Sequence, residues 1–205
     1  MTDFTLKIQF SKADTISLNQ QGYLVAIVKG QQTAATVNQV PVWVTFAPFE
    51  NNLATWDSIY GLFGSPDPAG SNAPITTYSS EFPVESGAIY PFQYNSFGKP
   101  EAAGEPNTYN VQNADGRKLT FGLLQSITAN GVAHNAQPTS ATAIETNMNI
   151  QLLPSDTVSI FMFNVVQNGV VIITNETALL DVDMKNNPQQ TIHFDGQQFV
   201  VGALP

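Results

Sequence analysis

Phe4-Thr5-Leu6-Lys7-Ile8-Gln9-Phe10 puts an apolar residue at every second position. Side chains on a strand point alternately to its two faces, so this stretch predicts a strand with Phe4, Leu6, Ile8 and Phe10 facing a core. Beyond the polar break Asn19-Gln20-Gln21-Gly22, the β-branched run Tyr23 to Lys29 predicts a second strand, and Val40 to Phe46 a third. Pro41 falls at the start of that third strand, where its missing N–H is tolerated. Gly30 to Gln39 between them reads as a polar linker.

Ala47 to Ser58 predicts a helical turn, since Leu53, Trp56 and Ile59 or Tyr60 recur at a spacing of three to four and Asn51 or Asn52 can cap it. Tyr60 to Gly64, Ile75 to Ser80 and Ala88 to Tyr94 read as extended. The loops Ser65 to Pro74 and Asn95 to Asn107 are dense in Gly and Pro. The C-terminal half is more regular, with expected strands at Lys118–Thr128, Ala143–Leu153, Thr157–Val166, Val170–Thr174, Ala178–Met184, Gln190–Phe194 and Gln197–Val201. Asn168-Gly169 and Asp195-Gly196 mark hairpin tips, because Asn, Asp and Gly tolerate positive φ. Short strands without βαβ alternation or a fixed repeat predict a single all-β domain over residues 1–205. The expected form is an antiparallel β-sandwich, jelly-roll-like, with long aromatic-rich loops and little helix.

Composition bounds the function. Asn, Gln, Ser and Thr supply 66 of the 205 residues and charged groups only 23, so the surface offers hydrogen bonds more than charge. With Lys and Arg at 7 and a net charge of −9, nucleic acid is excluded as an expected partner, since phosphate backbones require clustered cations. There are no cysteines, hence no disulfides, thiolate nucleophiles or Cys-ligated zinc. No apolar run reaches the length of a transmembrane segment. The start, Met1 to Phe10, lacks the pattern of a secretory leader, which makes cytoplasmic residence the expectation.

Two constellations are candidates for chemistry. Aromatic residues gather in the first half, and Trp56, Tyr60 and Tyr94, lying beside Asp57 and Asn95 near chain breakers, form the expected ligand set: rings to stack on a pyranose, amides and carboxylates to bind its hydroxyls. At the other end, Leu180, Val182 and Met184 alternate with Asp181 and Asp183, and Ile192 and Phe194 flank His193, with Asp195 following. If these two segments pair as a hairpin, Asp181, Asp183, His193 and Asp195 share one outward face and could hold Ca²⁺ weakly; no other cofactor is expected. A solvated polar face is the plainer reading of the same residues. His134 falls in the loop-like stretch 130–138.

No Gly-x-Ser-x-Gly elbow and no phosphate-binding glycine loop occurs, which argues against recognisable hydrolases and nucleotide enzymes. In composition the chain is similar to lectins and defence proteins and to subunits of protein coats. The leading expectation is therefore a non-enzymatic, carbohydrate-binding module that engages a glycan through loops. The alternatives are a self-assembling, homo-oligomeric coat-like subunit and an enzyme without a recognisable signature.

Overall fold

The computed structural model describes residues 3–29, 40–67, 75–102, 104–164, 171–172 and 177–205. In chain order these form β1 (Asp3–Gln9), α1 (Lys12–Gln20), β2 (Leu24–Lys29), β3 (Val40–Phe46), β4 (Asn51–Asp57), β5 (Gly61–Ser65) and β6 (Ser79–Glu81). The middle of the chain supplies β7 (Ala88–Gln93), β8 (Ser96–Phe97), β9 (Glu101–Ala102), β10 (Tyr109–Asn113), β11 (Leu119–Ala129), β12 (Val132–Pro138), β13 (Thr142–Ile144) and β14 (Asn149–Leu152). Then come β15 (Thr157–Phe163), β16 (Val171–Ile172), β17 (Thr177–Asp183), β18 (Gln189–Phe194) and β19 (Phe199–Val201).

Among the described residues a central sheet runs β19-β18-β1-β4-β11-β5-β6, with β12 and β13 also paired to β11. Two smaller sheets, β16-β3-β2-β15-β17 and β14-β10-β7-β8 with β9 on β7, complete the fold. One core lies between the first smaller sheet and the β19-to-β11 part of the central sheet; it holds Phe4, Leu6, Ile8 and Phe10 together with Val25, Ile27, Trp43, Trp56, Ile160 and Phe194. A second core gathers Leu62 and Phe121 of the central sheet with Tyr90, Phe92, Tyr109 and Val111. The fold is thus all-β and built of packed sheets, as the period-two runs predict.

β11 serves both cores. Its odd-numbered residues face inward along its whole length, Leu119, Phe121 and Leu123 entering the second core and Ile127 and Ala129 the first. A strand of 11 residues is long enough to span the two, and the inward polar residue Gln125 sits where one core gives way to the other.

Several expectations are corrected. The segment expected to hold a helical turn is β4, which pairs antiparallel with β1 from Asp3↔Asp57 to Gln9↔Asn51. That register sets Ala54 and Trp56 opposite Leu6 and Phe4 on the buried face, and cross-strand burial outweighs a helical spacing that leaves Leu53 half exposed. The central sheet and the β14-β10-β7-β8 sheet are mixed, because β1 pairs parallel with β18 and β10 parallel with β7, while the β16-β3-β2-β15-β17 sheet is antiparallel throughout. Residues 130–138, expected as a loop, contain β12, so His134 lies on a strand opposite Ile127.

The helix among the described residues, α1, buries no side chain fully, which is why no apolar period announces it. Its start is fixed by Ser11, whose Oγ accepts from the Asp14 N–H at 3.1 Å and donates to the Asp14 carboxylate at 2.6 Å. The expected hairpin at Asn168-Gly169 lies outside the described residues. The one at Asp195-Gly196 forms, joining β18 to β19 with Phe194 opposite Phe199.

Candidate functional site

The five residues expected to bind ligand occupy three separate places. Trp56 is not on a loop: it is 6% exposed on β4, stacked on Phe4 at 5.5 Å and meeting Trp43 edge-on at 5.3 Å. Its neighbour Asp57 ends β4 opposite Asp3, its carboxylate accepting from the Ile59 N–H at 3.0 Å. Asp57, the edge of Trp56 and Asp3 line an open cleft of about 370 Å³ with Ser126, Thr128 and Asn135. Tyr60, 5% exposed, belongs to the second core and is also not a loop ring in solvent.

Tyr94 and Asn95 form the tip between β7 and β8, both at positive φ (53° and 60°), with Tyr94 85% exposed. Arg117 donates to the Asn95 side-chain oxygen, and the Asn95 N–H points to the Asp115 carboxylate at 3.4 Å. This is a solvent-facing turn tied to the loop before β11.

The hairpin that would gather Asp181, Asp183, His193 and Asp195 is not formed. β17, carrying both aspartates, pairs with β15 in one sheet; β18, carrying His193, pairs with β1 and β19 in another. The pairing is set by burial: Leu180 and Val182 find Ile160 and Val158, and Ile192 finds Ile8. Asp181 accepts from the Ser159 hydroxyl at 2.5 Å, and Asp183 from the Lys185 N–H at 2.8 Å. His193 Nδ1 lies 3.0 Å from the Gly202 carbonyl. The Asp195 carboxyl is held below the usual range chiefly by the Gln198 and Gln197 N–H groups that cap its turn, with His193 a minor contributor. Among the described residues no three His, Asp or Glu side chains come together as a metal-holding group.

The place where chemistry concentrates is the seam between the two cores. Gln125 is fully buried there: its carbonyl accepts from Trp43 Nε1 at 3.0 Å, its side-chain nitrogen donates to the Asp57 carbonyl, and its Oε1 has no hydrogen-bond partner. Buried polar atoms are nearly always paired, so this acceptor stands out. Beside it lies Lys29, the last residue of β2, 2% exposed. Its Nζ donates to the Tyr60 hydroxyl at 3.3 Å and stands over the rings of Trp43 (5.2 Å), Tyr60 (5.3 Å), Phe4 (6.0 Å) and Trp56 (6.0 Å).

Burial pulls the Lys29 amine down to about 7, with the Asp156 carboxylate opposing that shift. The Tyr60 hydroxyl is pushed up, first by burial and then by Asp156 and Tyr109; that of Tyr109 rises for the same first reason. At neutral pH the seam therefore holds protonated phenols beside an amine present in both forms.

Above this seam opens a second cleft, of about 420 Å³, walled by Ser58, Tyr60, Ser86, Tyr109, Asp156 and Lys185. Each wall comes from a strand end or the segment that adjoins it: residues 58–60 follow β4, Ser86 precedes β7, Tyr109 opens β10, Asp156 precedes β15 and Lys185 follows β17. The Tyr60 and Tyr109 rings meet at 5.3 Å, and the Asn107 N–H donates to Ser86 Oγ at 2.8 Å, joining two of these segments.

Of this group only Tyr60 was singled out from the sequence. Gln125 carried a readable signal, a polar residue at an inward position of the run Leu119, Phe121, Leu123, Ile127, Ala129. Lys29 carried a fainter one, a cation closing an apolar run. Tyr109, Asp156 and Lys185 carried none, since only the packing of the two halves brings them together. No helix among the described residues is long and apolar enough to cross a membrane. Compared with protein-family models, curated proteins and solved structures, the chain matches none.

Proposed function

We propose that this protein is a non-enzymatic carbohydrate-binding module whose glycan sits in the cleft over the seam. The observation that carries the reading is the lining of that cleft: hydroxyls of Ser58, Ser86, Tyr60 and Tyr109, a carboxylate at Asp156 and an amine at Lys185, supplied by strand ends and the segments that adjoin them. Sugars present paired donors and acceptors, and hydroxyl groups that both give and take hydrogen bonds match them. Rigid sheets below hold these groups in place, which reduces the ordering cost of binding.

A glycan array followed by calorimetry on the best hit tests this. Asp156→Asn and Tyr109→Phe should each weaken binding by about 5- to 100-fold with the fold intact, the range for losing one hydrogen bond to a buried ligand group. A flat array refutes the reading. So does a glycan whose affinity ignores both variants.

A second reading, a self-assembling coat-like subunit, is favoured by Phe49, just before β4, and Leu53 within it, two large apolar side chains each about half exposed. Light scattering across a concentration series tests it. A homo-oligomer that Phe49→Ser/Leu53→Ser dissociates supports assembly through this face.

A further inference from the structure

We infer that Lys29 is an imine-forming amine that takes small hydroxylated aldehydes from the cleft over the seam. Its Nζ lies one hydrogen bond, 3.3 Å, from the hydroxyl of Tyr60, and Tyr60 is itself part of the cleft wall. Asp156, on the same wall, is the carboxylate whose charge acts on that amine. Lysines set in apolar surroundings are the ones that serve as Schiff-base nucleophiles, because the neutral amine carries the lone pair that attacks a carbonyl. Four aromatic rings supply those surroundings here, and burial makes the neutral form available near pH 7. The polar lining of the cleft selects an aldehyde that carries hydroxyl groups over a hydrocarbon one.

The chemistry balances without any redox partner. The Nζ lone pair forms a bond to the aldehyde carbon, the C=O π electrons move to oxygen, and one Nζ proton passes to that oxygen, giving a carbinolamine. The Tyr60 hydroxyl, which stays protonated and touches Nζ, can relay this proton by giving one and taking one. Loss of the carbinolamine hydroxyl together with the remaining Nζ proton, as water, leaves the C=N bond. Because Lys29 is 2% exposed, the Tyr60 ring must tilt to admit the aldehyde beside it, its hydroxyl staying within hydrogen-bond reach of Nζ.

This inference uses the cleft but does not depend on glycan affinity. The test is reductive trapping: the full chain at pH 7 with glycolaldehyde and cyanoborohydride, followed by peptide mass spectrometry. Lys29 should acquire the hydroxyethyl adduct about tenfold faster than Lys7, Lys12, Lys99, Lys118 and Lys185, the other lysines of the chain. Lys185→Trp, which fills the cleft from its wall, should slow labelling of Lys29 and leave the remaining lysines unchanged. An unmodified Lys29 alongside modified surface lysines overturns the inference, as does labelling of Lys29 that Lys185→Trp does not slow. If Lys185→Trp fails to fold, the relative rates in the parent chain decide alone. A glycan array result of either sign leaves this peptide map unaffected, so the two readings fail separately.

Discussion

Trp43 and Trp56 meet edge to face, ring centroids 5.3 Å apart, one from β3 of the smaller sheet and one from β4 of the central sheet. Trp43 also crosses the gap by donating its Nε1–H to the Gln125 carbonyl on β11. The two indoles thus join facing sheets at the point where Lys29 enters. Trp56→Ala should destabilise the fold by ~3–5 kcal/mol, the usual cost of truncating a large buried ring, measured by urea unfolding. Trp43→Phe should cost ~1–3 kcal/mol, because it leaves the Gln125 carbonyl without its donor. A loss below ~1 kcal/mol for Trp56→Ala would show that the ring is not part of a packed core.

Stability should depend on pH through Lys29 in a definite direction. Its folded value, about 7, lies below the ordinary 10.5, so between those limits the unfolded chain binds a proton that the folded chain does not. Stability from this group is therefore full above about pH 10.5, falls as pH drops toward 7, and is level below that. The phenols of Tyr60 and Tyr109 shift upward, so above about pH 10 their ionisation in the unfolded chain reverses the slope. Urea unfolding from pH 7 to 9.5 should show stability rising in the parent relative to Lys29→Met. Parallel curves for the two proteins would contradict the buried amine.

Gly122 cannot carry a side chain. A Cβ there would lie 1.8 Å from the Ser140 carbonyl oxygen and 2.6 Å from Phe63. The stretch after β12 is held against β11 by Leu123 N–H to Ser140 Oγ at 2.8 Å and Thr139 N–H to the Leu123 carbonyl at 2.9 Å, so the backbone cannot simply withdraw. Gly122→Ala should cost at least ~2–4 kcal/mol. Gly116→Ala, which meets open space, should stay within ~0.5 kcal/mol in the same chemical denaturation series.

At the β7–β8 tip, Tyr94 holds a left-handed backbone conformation that glycine adopts without steric cost. Tyr94→Ala should leave stability within ~0.5 kcal/mol, since the ring is in solvent, and Tyr94→Gly should raise it by ~0.5–1 kcal/mol. Neither should alter glycan affinity, because Tyr94 does not line the cleft over the seam. Calorimetry in which Tyr94→Ala abolishes binding would move the site to the tip.

The strand class was legible because alternation is a local property. Phe4 to Phe10 faces inward on the residues its period names, and β2, β3, β5, β7, β11, β15, β17 and β18 fall on the expected segments to within a few positions. Trp56 was misplaced because a spacing of three to four among Leu53, Trp56 and Tyr60 carries no information about β1, the partner that draws Ala54 and Trp56 inward. α1 was missed for a related reason: its stability comes from the Ser11 and Asp14 cap and not from an apolar face.

What the sequence by itself determined is which side of each strand is apolar, since neighbouring side chains on an extended backbone must point opposite ways whatever the fold. Which strands lie together was decided only in three dimensions. Pairing of β17 with β15 and of β18 with β1 separates Asp181 and Asp183 from His193. The reach of β11 across two cores creates a seam, and that seam seats Lys29, Tyr60 and Gln125 side by side although they stand 29, 60 and 125 residues into the chain. Their burial, and hence the state of the amine, follows from contacts between distant segments, which no local pattern encodes.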